Sequence, residues 1–353
     1  MIFMVISNIA PRRRCLNFAK EFNVKSLSLL RLFLGLLCAA CLTVCNTALA
    51  QKIRVGYWTS GVSLGFGSVL EQGGFLQKEG LDAEFIKFSD VNAPTKAIAS
   101  HAIDVAIGAS AAGALNIAAD GLPIKIILGT QLAEAQFVVL ADSPVKSFAD
   151  FKGRKIGMSP PGSATHAIAA ALLEYNHGLK PSDYTVIPGT EPRLAQFLIQ
   201  KEIEVAAIRS TTVAQMNEVK LRSLGNFLDE WKKMTKSNAA PYIGIGIVHN
   251  DYLTNNPDAV VRFIVGMRKA LEFGSRDKAQ VAAVLQKAAN MPADDAKAYA
   301  NLWDNIYRVS FEPQDIATLK RMNEIFKAGG TARKDVPDSV FYAEPYIKSK
   351  QLK

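Results

Sequence analysis

From residue 51 onward, short apolar runs alternate with amphipathic stretches of helical length. Lys52-Ile53-Arg54-Val55-Gly56-Tyr57 alternates and then breaks at glycine, as a strand leaving a sheet does. A loop at Trp58-Thr59-Ser60-Gly61 leads to a predicted helix from Leu64 to Lys78. Ala83–Phe88 reads as a second strand, and Pro94 opens a helix that runs to Ser100. Asp104–Gly108 is apolar enough to be a strand buried on both faces. A small-residue helix over Ser110–Ala119 and a strand over Pro123–Gly129 follow. Strands alternating with helices of this length argue for an α/β unit around a parallel sheet.

After Gln136–Leu140 the pattern restarts. Lys155–Met158 is a strand, Ser159–Ser163 a turn-rich loop, and Ala164–Asn176 a helix with Ile168, Leu172 and Tyr175 on one face. Strands near Tyr184–Ile187 and Val205–Ile208 flank a helix near Arg193–Ile199. This is a second, smaller α/β unit of normal domain size. Pro241–Val248, rich in isoleucine and glycine, reads as a strand crossing between units. The chain is helical from there to about Ala328: Asn256 caps, Pro257 takes the first helical position, and Val260, Val261, Ile264, Met267 and Leu271 form the buried stripe. The tail to Lys353 reads as irregular.

Residues 32–44 interrupt this scheme with an apolar run too short for a comfortable membrane span of ~20 residues. Lys25 and Arg31 precede it and Ala48-Leu49-Ala50 follows, the layout of a secretory signal peptide cleaved after Ala50. Neither Cys41 nor Cys45 has the neighbours of a lipid-acceptor cysteine. The long basic lead-in points to a translation start nearer Val24. The formal net charge of +9 looks suited to nucleic acid, but residues 1–50 hold six basic residues and one acidic one. The remainder has 35 basic and 31 acidic residues and no dense basic block, so no nucleic-acid footprint is expected. All four cysteines lie in the first 50 residues, which excludes a disulfide framework, a CxxC zinc site and a thiol nucleophile beyond them. His101, His177 and His249 are scattered and suggest no metal site, and His249 with Asp251 reads as loop surface. There is no nucleophile elbow, P-loop or dinucleotide fingerprint, so no cofactor is expected.

Four stretches together carry a family resemblance: Ile53–Tyr57; Gly73–Leu81; Ala97–Gly108 with its Ile103-Asp104-Val105-Ala106; and Ser147–Ser163, containing FADFKGRKIGMSPPGS. In their order and spacing the chain resembles bacterial periplasmic solute-binding proteins of ABC importers, in the nitrate/sulfonate/taurine-type group that includes thiamine-pyrimidine binders. The resemblance implies a type II periplasmic binding fold, two α/β lobes joined by two crossing strands with a helical C-terminus. The crossings would fall near Gln136–Leu140 and Pro241–Ile245. Residues 51–138 and 242–353 would make the first lobe and 139–241 the second. It also implies a periplasmic monomer that captures a small, anionic organic solute of sulfonate or carboxylate class and hands it to an inner-membrane permease and its ATPase. The competing reading is an enzyme on the same fold, of dehydratase or pyrimidine-forming type.

Candidate ligand contacts follow from strand ends, where open α/β sheets bind ligands. Gly162, Ser163, Thr165 and His166 open a helix after a strand, where unpaired N–H groups and partial positive charge favour an anion. Ser163 could equally cap that helix. Trp58 and Ser60 follow the first strand, Ser110 the third and Gln131 the fourth. Arg209 follows Val205–Ile208, where its fork suits a carboxylate or sulfonate, or an ion pair between lobes. Glu191, Arg193 and Asn92 are weaker candidates at neighbouring loops.

Overall fold

A computed structural model describes residues 50–352. The expected signal peptide, apart from Ala50, lies outside them. The described chain contains two sheets. Strands β1 (Gln51–Trp58), β2 (Leu81–Phe88), β3 (Val105–Ser110) and β4 (Ile124–Leu132) belong to the first. The chain then enters the second with β5 (Ala135–Leu140), β6 (Lys155–Met158), β7 (Thr185–Pro188), β8 (Val205–Arg209) and β9 (Leu221–Asn226). It returns to the first with β10 (Tyr242–His249) and β11 (Tyr307–Ser310). The strand orders are β11-β4-β10-β3-β1-β2 and β7-β6-β8-β5-β9. This is an α/β fold of two lobes, one per sheet, with much of the C-terminal helical chain packed on the first.

Both sheets are mixed, where strand–helix alternation alone predicts parallel ones. β1 pairs with β2 and β3 in parallel, as does β6 with β7 and β8. The strand that follows each passage between lobes runs the other way. β10 lies antiparallel between β3 and β4, and β5 lies antiparallel between β8 and β9. A chain that leaves one sheet and re-enters it from the far side arrives with its direction reversed. The passage out is short: Leu132 ends β4 and Ala135 begins β5. The passage back runs beside it, with the Ala133 N–H donating to the Pro241 carbonyl at 2.9 Å.

Burial follows the sequence pattern. β3 and β10 are buried at every position, as apolar runs covered on both faces should be. In β5, Phe137 faces an aromatic cluster with Phe148, Phe151 and Phe227, while Val138 faces a smaller cluster with Leu194, Leu198 and Ile208. The helices that matter for the site are α1 (Gly61–Gln72), α2 (Ala93–Ala99), α3 (Ala111–Ala119), α4 (Ala164–His177), α5 (Glu191–Ile199) and α6 (Ser210–Gln215). α1 starts three residues before the expected Leu64 and stops at Gln72, because Gly73 and Gly74 break the predicted run. The tail also holds a short helix, Glu344–Ser349, whose Tyr346 is buried. Among the described residues no helix is long and apolar enough to cross a membrane.

Candidate functional site

The carboxyl ends of the parallel strands of both lobes face one cleft. The first lobe brings Trp58 at the end of β1, Ser60 at the cap of α1, and Ser110 at the end of β3. The second brings the loop after β6, the start of α5 after β7, and Arg209 at the end of β8.

Arg209 is the centre of this arrangement, and only 3% of its surface is exposed. Its Nη1 donates to Glu191 Oε1 and its Nη2 donates to Thr165 Oγ1 at 2.9 Å. Its backbone N–H donates to Glu191 Oε2 at 3.0 Å, and the Thr212 hydroxyl donates to the same oxygen at 2.7 Å. The guanidinium lies over the Trp58 ring of the other lobe, 5.0 Å from its centre. Such a contact attracts a cation through the ring quadrupole. Arg209 Nε is buried with no partner, and so are the hydroxyls of Thr211 and Thr130. A buried donor costs ~1–3 kcal/mol unless water or a ligand satisfies it.

Gly61 makes the stack possible. It sits at φ +52°, and a Cβ there would come within 2.8 Å of the Trp58 ring and 3.4 Å of Arg209 Nη1. Trp58 itself donates its indole N–H to the Ser89 carbonyl at 3.2 Å. Beside the stack, a cavity of about 420 Å3 opens between the lobes, lined by Ser60, Leu64, Glu191, Thr211, Met216 and Met291. A smaller space of about 20 Å3 lies between Trp58, Val91, Ser159 and Glu191. Glu191 forms the wall common to both.

The remaining candidates divide by position. The Ser110 hydroxyl accepts from Gly113 N–H at 3.2 Å, capping its own helix α3. It also accepts from Ala164 N–H at 3.0 Å and donates to the Gly162 carbonyl at 3.1 Å, so it ties the lobes together. Asn92 adds a second tie, its Nδ2 donating to the Pro161 carbonyl at 3.2 Å. Ser163 caps α4 by accepting from His166 N–H at 3.3 Å. The Ala164 and His166 amides at this terminus therefore already have side-chain partners. Thr165 is joined to Arg209 as described. His166 points elsewhere: it lines a separate cavity of about 70 Å3 with Glu174, Tyr184 and Ile325. Burial pushes its imidazole pKa below the usual value. Gln131 is wedged between Gly108 and Gly244 and donates to Ser63 Oγ at 3.2 Å. Arg193 lies over Phe197, beside a groove that includes Lys155 and Pro188.

The ion pair expected of Arg209 as one option is present, but within the second lobe rather than between lobes. Burial raises the Glu134 carboxyl pKa in the passage out of the first lobe, where Ser210 Oγ donates to it at 3.1 Å. Glu191 was only a weak candidate by position. Its role as partner of Arg209 has no signal in spacing, since Glu191 opens α5 after β7 and Arg209 ends β8, strands that flank β6 only in the folded sheet. His101, His249 and Asp251, scattered in sequence, come together at the opposite edge of the first lobe.

The sequence model of the family described as "NMT1/THI5 like" matches residues 69–279. A Brucella abortus protein named as a candidate binding protein is 24% identical over 317 residues, covering 86% of this chain and 95% of that one. The alkanesulfonate-binding protein SsuA of Xanthomonas axonopodis pv. citri, solved bound to MOPS, superposes with a TM-score of 0.71 at 17% identity, over 84% of this chain and 100% of that one. The desulfurization enzyme DSZB superposes with a TM-score of 0.61 at 12% identity, over 85% and 99%. The fold is thus common to binding proteins and to an enzyme.

Proposed function

Because this chain belongs to the NMT1/THI5-like family, we propose that it is a solute-binding protein that works by reversible closure of its lobes and performs no chemistry on its ligand. In this reading it is a monomer of the periplasm, exported by residues 1–50, that presents its solute to the permease and ATPase of an ABC importer. The binding-protein name of the Brucella relative and the sulfonate binding of the Xanthomonas protein support the reading. So do the ties from Ser110 and Asn92 across the cleft, which are contacts a closing motion makes and breaks.

One observation carries the proposal: the buried, unpartnered Nε of Arg209, beside an inter-lobe cavity lined by Thr211, whose hydroxyl is also unpaired. The solute presents an acceptor to these donors and lays its organic body into the adjoining cavity, whose volume suits a small molecule. A sulfonate or carboxylate oxygen is one such acceptor; a carbonyl or ring nitrogen is another. Glu191 already balances the charge of Arg209. An added buried anion would leave a negative charge uncompensated, at a cost of roughly several kcal/mol. That favours an uncharged or zwitterionic solute over the anion anticipated from the sequence.

A thermal-shift screen of the folded, ligand-free protein tests this against alkanesulfonates, aromatic carboxylates, dicarboxylates and uncharged thiamine-pyrimidine precursors. A ligand at a hundredfold excess over its Kd adds ~2.7 kcal/mol, a rise of several degrees. Stabilisation by an uncharged member is expected. Stabilisation by anions alone would overturn the charge argument, and a flat panel would count against the binding role.

A further inference from the structure

We propose a second site, for a divalent transition-metal ion, built from His101, His249 and Asp251 at the end of the first lobe opposite the cleft. β10 runs antiparallel to β3, with Gly244 beside Ser110 at the cleft and Val248 beside Val105 at the far end. His249 therefore closes β10 far from the solute. His101 stands on the turn after α2 at φ +55°, and Asp251 opens the helix Asn250–Asn255. The two imidazole rings are stacked, with centres 3.7 Å apart and planes 9° from parallel.

The ligand atoms are identifiable. His101 Nε2 lies 3.5 Å from Asp104 Oδ1. That carboxylate is buried and held by Arg54 through Nη2 at 2.6 Å, Nε at 3.1 Å and the backbone N–H at 2.8 Å. A carboxylate beside one imidazole nitrogen favours the tautomer that leaves the other nitrogen as a ligand, an arrangement common among metal-bound histidines. The free atom is His101 Nδ1, and it faces Asp251 Oδ2 at 3.8 Å. His249 Nδ1 faces the same oxygen at 3.7 Å; it accepts the Asp251 backbone N–H at 3.3 Å, and a bound ion would take the place of that cap. All three ligand atoms lie within 4.8 Å of one another. Metal–ligand bonds of ~2.0–2.1 Å in a tetrahedron imply ligand separations of about 3.4 Å. Two of the three edges are already near that length.

Parallel stacking leaves one ring to turn before both nitrogens address a common centre. The movable partners are His101, half-exposed on its turn, and Asp251, exposed on its helix. His249 is buried and fixed. Two imidazoles and one carboxylate suit Zn2+, Co2+ or Ni2+, with a fourth position open to water. Bound there, the ion would clip the turn after α2 to the end of β10.

The test is titration of the full, chelator-stripped chain with Co2+, read by visible absorption and by melting temperature. Any cobalt held by the four cysteines of residues 1–50 would show an intense thiolate charge-transfer band. The proposed site has only nitrogen and oxygen ligands and lacks that band. His101→Asn keeps a residue that tolerates positive φ, so it isolates ligation from folding. The expected result is one equivalent without thiolate bands, a raised melting temperature, and a loss of affinity of at least roughly tenfold in His101→Asn and in Asp251→Asn. His166→Asn should bind as wild type. Equal affinity in His101→Asn, or cobalt bound only with thiolate bands, overturns the site.

Discussion

The two lobes meet the cleft with different chemistry. The first offers a flat aromatic wall at Trp58, a glycine beside it, and the Ser110 hydroxyl. The second offers the charged machinery: Glu191 and Arg209 locked together, with Thr165 and Thr212 completing their hydrogen bonds. One lobe supplies shape and the other supplies polarity that is almost, but not wholly, satisfied internally. In the proposed closure, this difference would make binding selective. The ion pair lies wholly within the second lobe, whereas the ring over Arg209 comes from the first.

The largest expected effect comes from the second lobe. Glu191→Ala leaves Arg209 as an uncompensated buried charge and should cost ~3–5 kcal/mol in chemical denaturation. Asp142→Ala, removing an exposed partner 2.9 Å from Lys201, should cost only a small fraction of that. Equal costs would mean that the cleft pair is no more than a surface bridge. Next comes the first lobe. Gly61→Ala places a methyl against the Trp58 ring at a positive φ, and should cost ~1–3 kcal/mol and blunt any solute-induced rise in melting temperature. Loss of stability with an intact solute response would place Trp58 outside the binding mechanism.

Ser110→Ala should be milder, ~0.5–2 kcal/mol for the lost cap of α3. Because the same hydroxyl ties Gly162 and Ala164, the variant should also show a larger radius of gyration by solution scattering, as the open form gains population. An unchanged radius would reduce Ser110 to a cap. The smallest effect is that of pH on His166. Burial lowers its pKa below the ordinary 6.5, so the unfolded chain binds the proton more readily. Its contribution is therefore complete above pH ~6.5 and is lost as pH falls through the folded value. His166→Gln should flatten the acid side of the melting-temperature profile; an unchanged profile would show that the imidazole keeps its solvent pKa.

Much of the fold was legible because apolar runs and breaks are local signals. Lys155–Met158 and the start of the long helix at Pro257 fall where the pattern puts them, although the Asn256 side chain accepts from Gln51 instead of capping that helix. What escaped depended on tertiary context. Leu221–Asn226 is a half-polar edge strand with no clear alternation, and the direction of β5 and β10 follows from chain return, not composition. In the cleft, Trp58, Thr165 and Arg209 were foreseeable from strand ends, and the structure brings these three together. The dominance of Glu191 was not, since it rests on a partner contributed by another strand. The stacking of His101 on His249 was invisible for the same reason.

The central claim is that Arg209 receives a solute without changing it. The most direct measurement is calorimetric titration of the solute panel into wild type and Arg209→Lys, followed by recovery of the solute. Lysine cannot supply Nε while also reaching Glu191 and Thr165. The account predicts one-to-one binding to wild type, recovery of the solute intact, and a loss of ~1.5–3 kcal/mol, roughly tenfold or more, in the variant. Equal affinity in Arg209→Lys, or a chemically altered solute, would contradict it.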